Sequence, residues 1–421
     1  MRRITFLLCP LLVLAFCAKS QAQSFGVELN NTLMPASGGM GGASIAMPQD
    51  LTSSINGNPA TLTQFAGTQF LFGGAWAEPT FNLNQTDSIP LLGVDPFNAK
   101  STAPGGAAAN IGVTQDLSAL GMPATFGLAF TTAAAGLVDF RNIPASNGTN
   151  SDLIVFELTG GVGANLTDRL SVGAGLALGI GFFNAPFVAI SGMTMDYALR
   201  GTLGVNYAVT DSTTAGFYYQ TPQHFKFDNA VTFVNGPLAG VVQDVRMDLP
   251  TNLGFGVANR ALLDGNLLLA FDVLYKLWAD TQLFGAVYDN QWVFQVGAQY
   301  TSGQNRYRVG YAYAENPLNP NPGPNIGGVT PPGGFPAVLY SQGLLAIANP
   351  HRISFGYGRT NLLPGLDLDL MGGAMFRNAE QLGPDTNVSV VSYWLGLGLT
   401  WRFGRGACCE TCIPNDWGCG N

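Results

Sequence analysis

The sequence predicts an all-β protein: a 14-stranded antiparallel transmembrane β-barrel with an N-terminal plug inside its lumen. Three observations predict it. The chain opens on an export signal. Only 10% of its residues are charged, against about 25% in an ordinary soluble domain, yet beyond the signal no apolar run approaches the roughly 20 residues of a spanning helix. And segment after segment alternates apolar with small or polar residues. A hydrophobic exported chain without a spanning helix crosses a bilayer as a closed barrel, whose strands satisfy each other's backbone N–H and C=O groups.

The signal reads MRR, then apolar Ile4 to Ala18, then KSQAQS. Basic, apolar and small-residue regions in that order place cleavage after Ala22. A lipoprotein reading fails because Phe16, not a small residue, precedes Cys17. Removing residues 1–22 takes away Arg2, Arg3 and Lys19, so 18 basic residues fall to 15 against 26 acidic ones, a net of −11. Such a chain has no basic stripe for nucleic acid. The expected organisation is signal 1–22, plug 23–65, barrel 66–403 and Cys-rich tail 404–421.

The period-2 test carries the barrel. In "DYALRGTLGVNY", Tyr197, Leu199, Leu203, Val205 and Tyr207 form one face, and Asp196, Ala198, Arg200, Thr202 and Asn206 the other. "LAFDVLYKLW" sets Phe271, Val273 and Tyr275 against Asp272 and Lys276, and "SYWLGLGLTWRF" repeats the pattern. Apolar-out, polar-in alternation with aromatic ends is the outer-membrane pattern. The strands fall at 66–80, 107–115, 124–140, 153–166, 170–182, 195–208, 213–227, 243–259, 266–280, 291–301, 305–315, 350–360, 366–377 and 390–403. Short links ("TDR", "TDST", "SGQ", "NLLPG") alternate with long ones such as 81–106 and 316–349. Short periplasmic turns opposite long external loops fit an outer-membrane barrel. A soluble sandwich would need a more charged outer face.

The stretch "GGMGGASIAMPQDLTSSINGNPATLTQF" breaks the pattern. Fourteen strands enclose more space than their own side chains fill, and small residues let irregular backbone fold tightly inside a polar lumen. Residues 23–65 are therefore expected to plug the barrel. A nucleotide-loop reading of the glycines fails: G-x-G-x-x-G from Gly39 breaks at Ser44, with no strand before it.

At these residues the sequence resembles the FadL-like outer-membrane transporters of long-chain fatty acids and other hydrophobic compounds. The likeness lies in "ASGGMGGASIAMPQD…NGNPATL", with Asn58, Pro59 and Ala60, and continues through "LTDRLSVGAGLAL", "FDVLYKLWADT", "FQVGAQY…YRVGYAYAENPL" and "HRISFGYG". Two positions depart from the family: Thr61 stands where Gly is usual, and 18 residues follow Phe403, where such barrels usually end on an aromatic residue. The resemblance implies a 14-stranded barrel closed by an N-terminal hatch, a passive ligand-gated uptake path, and lateral release beside an inward-kinked third strand.

A fatty acid needs an apolar cavity for its tail and a desolvated cation for its carboxylate. Strand parity turns Arg200, Lys226, Arg246, Lys276 and Arg352 to the lumen; the alternative is that they pair with lumen acids such as Glu157, Asp196, Asp272, Asp367 and Asp369. The external loops 183–194, 228–242 and 335–347 are apolar, with Phe183, Phe187, Phe233, Phe335 and Leu344. They either collect ligand or pack together as a lid. In the third strand, Thr131, Thr132, Ala133, Ala134, Ala135 and Gly136 interrupt the alternation and could leave the lateral window.

The tail carries Cys408, Cys409, Cys412 and Cys419. In an oxidising envelope disulfides are expected, with connectivity open, and the spacing matches no zinc pattern. No cofactor or metal is implied. An enzymatic reading, a barrel hydrolase, lacks a motif around His224 or His351, the two histidines present. A structural or adhesive barrel would have no use for a hatch. The expected protein is a monomeric, multi-pass outer-membrane barrel for uptake of long-chain fatty acids, with aromatic hydrocarbons the alternative ligands. Its partners are that small molecule, outer-membrane lipids and the barrel assembly machinery.

Overall fold

The structure is a computed structural model that describes residues 26–28, 30–184, 188–345 and 350–403. The barrel strands are β1 (Thr68–Gln85), β2 (Gly106–Asp116), β3 (Ala124–Asp139), β4 (Asn150–Asn165), β5 (Leu170–Asn184), β6 (Thr194–Ala208) and β7 (Thr213–Gln220). They continue with β8 (Thr251–Leu262), β9 (Leu267–Leu277), β10 (Gln291–Ser302), β11 (Asn305–Ala314), β12 (His351–Leu363), β13 (Leu366–Leu382) and β14 (Thr386–Phe403). Each pairs antiparallel with the next, and β14 closes on β1 from Thr386–Gln85 to Phe403–Thr68. The barrel is therefore closed with 14 strands and has no open edge.

Alternation sets which side chains meet lipid. On β6, Tyr197, Leu199 and Leu203 are more than half exposed, whereas Ala198, Arg200 and Thr202 are buried in the lumen. Trp292, Phe294, Tyr311 and Tyr393 likewise face outward. Exposed in water, such a surface would aggregate; in a bilayer it is the lipid face and aromatic girdle.

Inside lies the N-terminal segment. From Asn31 to Leu62 almost every residue is buried. Asp50 organises it: its carboxylate caps the helix Leu51–Asn56 through Ser53 N at 2.9 Å, and also accepts from Ala36 N at 3.1 Å and Ser37 N at 2.8 Å. Two glycine-lined patches of wall receive the segment. A methyl on Gly297 or Gly310 would strike the backbone at Met40 and Gly41, and one on Gly163, Gly173 or Gly204 would strike Asn58, Pro59 or Ala60. The Gly-rich stretch and the Asn-Pro-Ala signature are thus two docking points, where backbone meets backbone.

Two sequence expectations need correction. Strands 213–227 and 243–259 do not run on as barrel strands. Each breaks at a proline, Pro222 or Pro250, and the outer parts Gln223–Thr232 and Val242–Leu249 pair with each other in a separate small sheet that also includes Ile190–Ser191. This external hairpin folds over the lumen, with Phe225 and Phe227 packed on Gly181 of β5. Proline has no N–H for the ladder, which is why the strands part there. In the other direction, β1, β13 and β14 extend past their expected outer ends and stand above the bilayer as a tall wall beside loop 86–105.

Candidate functional site

The hairpin's departure changes where two cations lie. Lys226 and Arg246 are cross-strand partners on its outer face, and both are exposed. Lys226 is ion-paired with Asp228 at 2.6 Å and Asp244 at 2.9 Å. Those hydrogen bonds raise the Lys226 ammonium above its usual range, and a bond from Asn229 N, followed by the Lys226 bond, holds the Asp244 carboxyl below its own. Neither cation faces the lumen, because parity counted along a continuous strand fails once the strand leaves the barrel.

The other three cations point inward. Arg200 is 2% exposed and sits 3.9 Å from Glu157. Its Nε donates to Thr221 O at 2.8 Å, and a terminal nitrogen donates to Pro250 O. Lys276, also buried, lies with Nζ 5.9 Å from the Trp278 ring. Arg352 makes a long hydrogen bond of 3.4 Å to Thr32 Oγ1 of the plug; among the described residues its buried Nε has no acceptor and no carboxylate pairs with it. Arg308, which sequence reasoning passed over, is buried against Asp369 at 2.5 Å and Gln299 at 2.7 Å. Arg402 pairs with Asp367 at 2.9 Å.

The named acids therefore have separate tasks. Asp272 does not pair with Lys276. Its Oδ2 accepts from the plug backbone, Ser44 N at 2.6 Å and Ile45 N at 2.9 Å, while the buried Oδ1 has no partner among the described residues. Asp196 accepts from Lys226 N of the hairpin at 2.6 Å. Asn58, first of the signature triplet, bridges plug and wall through Ile45 O and Val205 O, both at 3.0 Å, and its carbonyl receives Ala60 N at 3.2 Å. Pro59 opens the 3-10 turn that follows, and Thr61 Oγ1 bonds back to Asn58 O at 2.7 Å.

Above the plug, the external apolar residues pack on one another. Phe183 stacks on Phe227 at 4.8 Å, and Trp278, Phe284 and Tyr288 form a second group with centroids 5.1–5.5 Å apart. Phe233 and Leu344 are buried in the same cluster, whereas Phe335, at the start of the helix Phe335–Leu344, is exposed. Phe187 lies outside the described residues, as do Cys408, Cys409, Cys412 and Cys419. Tyr288 OH donates to Leu345 O, and Tyr340 OH bonds Thr149 Oγ1 at 2.9 Å. Burial pushes both phenols well above the usual tyrosine range.

The third strand has a break in its pairing. The ladder between β2 and β3 ends at Asn110–Thr131, and the Ala109 N–Thr132 Oγ1 bond of 3.0 Å lies just above it. The wall rejoins at Thr102 N–Asp139 O, 2.8 Å. In between, β3 carries a bulge at Ala133, and the short strand Gly26–Glu28 pairs with Ala134 and Ala135. Gly136 is half-buried, and Ala134 and Ala135 are buried. A cavity of about 40 Å³ lies between plug and wall, bordered by Asn56, Thr131, Ala133, Glu157 and Arg200. It has room for a few waters at most.

Residues 15–185 match the family of outer membrane protein transport proteins (OMPP1/FadL/TodX). No curated protein sequence matches. Among solved structures, the toluene transporter TodX of P. putida is similar, with a TM-score of 0.64 at 18% identity over 88% of this chain and 98% of that one. A FadL homologue from Pseudomonas aeruginosa scores 0.66 at 17% identity over 88% and 98%. The toluene transporter TbuX of Ralstonia pickettii scores 0.61 at 16% identity, again over 88% and 98%. The family match thus spans the plug and the first five strands, and the solved structures share the fold of the whole closed barrel, so the chain has the fold of a 14-stranded outer-membrane β-barrel.

Proposed function

We propose that the protein takes up long-chain fatty acids by passive, ligand-gated diffusion, with Arg352 as the carboxylate ligand. The observation that carries this reading is the state of Arg352: a lumen cation without a carboxylate partner among the described residues, while Arg200, Arg308 and Arg402 each have one. A desolvated cation left uncompensated is costly, and an arriving carboxylate would relieve that cost with a bidentate pair. Met375, opposite Arg352 in the β12–β13 ladder, belongs to the apolar cluster under the external loops, so tail and head would find their surroundings side by side. Lys276, Arg200 and the outer-face pair Lys226 and Arg246 are secondary candidates. The hatch would shift to admit the ligand, because the cavity of about 40 Å³ is far smaller than a fatty acid. Release would follow the gap in pairing beside Thr131 to Gly136.

A neutral aromatic hydrocarbon is the second reading. It is favoured by the aromatic character of the external cluster, and two of the similar structures are toluene transporters. Saturation binding of a radiolabelled long-chain fatty acid to the refolded barrel, with toluene as competitor, separates the two. Saturable binding that toluene leaves in place, and that Arg352→Gln weakens about 10- to 100-fold through loss of a charged hydrogen bond, supports the fatty-acid reading. Absence of saturable binding in a folded barrel rejects it in favour of the hydrocarbon.

A further inference from the structure

We infer that Arg200 is the hinge clamp of the external hairpin, a positioning residue that holds segment 223–249 down in the barrel mouth and so sets how readily anything passes it. The hairpin leaves the wall on two stalks, at Thr221-Pro222 and at Leu249-Pro250. Pairing with β6 continues to Thr221, whose N–H bonds Gly201 O at 2.9 Å. Where the stalks part from the barrel, their carbonyls lose the regular ladder. One guanidinium meets both: Arg200 Nε takes Thr221 O at 2.8 Å and a terminal nitrogen takes Pro250 O. A planar fork with five fixed donors suits two convergent carbonyls in a way that a lysine ammonium does not. Glu157 at 3.9 Å balances the charge from the β4 side.

The other holds on the hairpin are of a different kind. Phe225 and Phe227 rest on glycine-lined wall and on Phe183, contacts that an apolar ligand sliding beneath could replace. Gln223 Nε2 bonds Ala198 O at 3.1 Å, and Asp196 holds Lys226 N. The clamp lies below these, where the two stalks converge. Arg200 also borders the small cavity shared by plug residues Asn56 and Gly57 and by Thr131 to Ala133. The hinge thus adjoins the route from the external cluster to the gap in β3.

The clamp is tested without any ligand. Val245 lies on the hairpin's inner face and is fully buried, as is Ala43 in the plug. Val245→Cys and Ala43→Cys are introduced separately, and maleimide labelling at each introduced cysteine is followed by peptide mass spectrometry in the folded full-length barrel. The double variant Glu157→Gln/Arg200→Gln removes the clamp without leaving a buried carboxylate unpaired. It is expected to label position 245 at least about tenfold faster while position 43 stays as in the parent, because one pKa-sized step in opening free energy is a tenfold change in open population. Arg200→Lys keeps the charge but not the fork, and is expected to raise labelling at 245 about threefold or more. Equal rates at 245 in folded variants would overturn the clamp. A parallel rise at both positions would also overturn it, by making Arg200 a general stabiliser of the lumen. Should the double variant fail to fold, Arg200→Lys decides by itself under the same criteria.

Discussion

Removing the Asp272 carboxylate should free the plug from the wall while leaving the barrel intact. Asp272 Oδ2 accepts two plug backbone N–H groups, from Ser44 and Ile45. Hydrogen bonds to a charged acceptor contribute about 1.5–3 kcal/mol each, and a buried N–H left without a partner costs about 1–3 kcal/mol. Against this stands the desolvation of the carboxylate itself, whose buried Oδ1 has no partner among the described residues. Taking the low end for both bonds, Asp272→Ala should weaken docking here by about 3 kcal/mol, roughly a 100-fold increase in the detached population. Asp272→Asn keeps one acceptor oxygen in place and removes the charge, so its effect should stay under about tenfold. Amide hydrogen exchange of the peptides spanning residues 40–50 reads the effect, with strands β9 and β10 as internal controls. Unchanged exchange in Asp272→Ala, in a folded barrel, would refute the reasoning that this carboxylate latches the plug. Equal effects of Ala and Asn would refute the charge ledger instead.

Other perturbations test the remaining contacts. Ala134→Trp should block uptake and spare assembly, since it places a large side chain beside the gap in β3; unchanged uptake in cells would remove the route from this site. Gly310→Ala should loosen the plug, because its methyl would collide with the Met40–Gly41 backbone; faster exchange of residues 37–43 with an unaltered barrel melting point is the expected pattern. Asp50→Ala strips the helix cap and the bonds to Ala36 N and Ser37 N, and should unfold the plug by about 2–4 kcal/mol, seen as new protease cuts near 36–56. The external lid should open in alkali. Burial raises Tyr288 and Tyr340 above the phenol's usual value, so the closed lid keeps protons that an open lid loses. Its stability is whole below about pH 10 and falls as pH rises from there toward the folded values. Absorbance at 295 nm should show Tyr340→Phe removing one late-titrating phenol.

The strand pattern was legible because a bilayer imposes one rule on every residue of a barrel wall: outward side chains meet lipid and inward ones do not. Alternation in Asp196–Tyr207 or Ser392–Phe403 therefore reveals the face, and the count of 14 follows from repeating that test. The same rule misplaced Lys226 and Arg246, since a hairpin outside the membrane obeys no lipid constraint. Pro222 and Pro250 carried the missing signal, because a proline within an apparent central strand marks a departure from the ladder. Asp50 caps its own helix through Ser53 N, but its bonds to Ala36 N and Ser37 N, like the pairing of Arg308 with Asp369, join residues whose meeting no local pattern announces.

What the amino-acid sequence determined by itself was the barrel, its strand number and the presence of a small-residue segment unfit for lipid. These depend on local spacing and on a solvent that treats every strand alike. Tertiary structure decided which glycines receive the plug, which acids neutralise which cations, and that Arg352 has no carboxylate partner among the described residues. It also decided that the external loops close over the mouth. Those outcomes depend on distances between strands far apart in the chain, and an alternation of period two carries no information about which inward side chains will meet across the lumen.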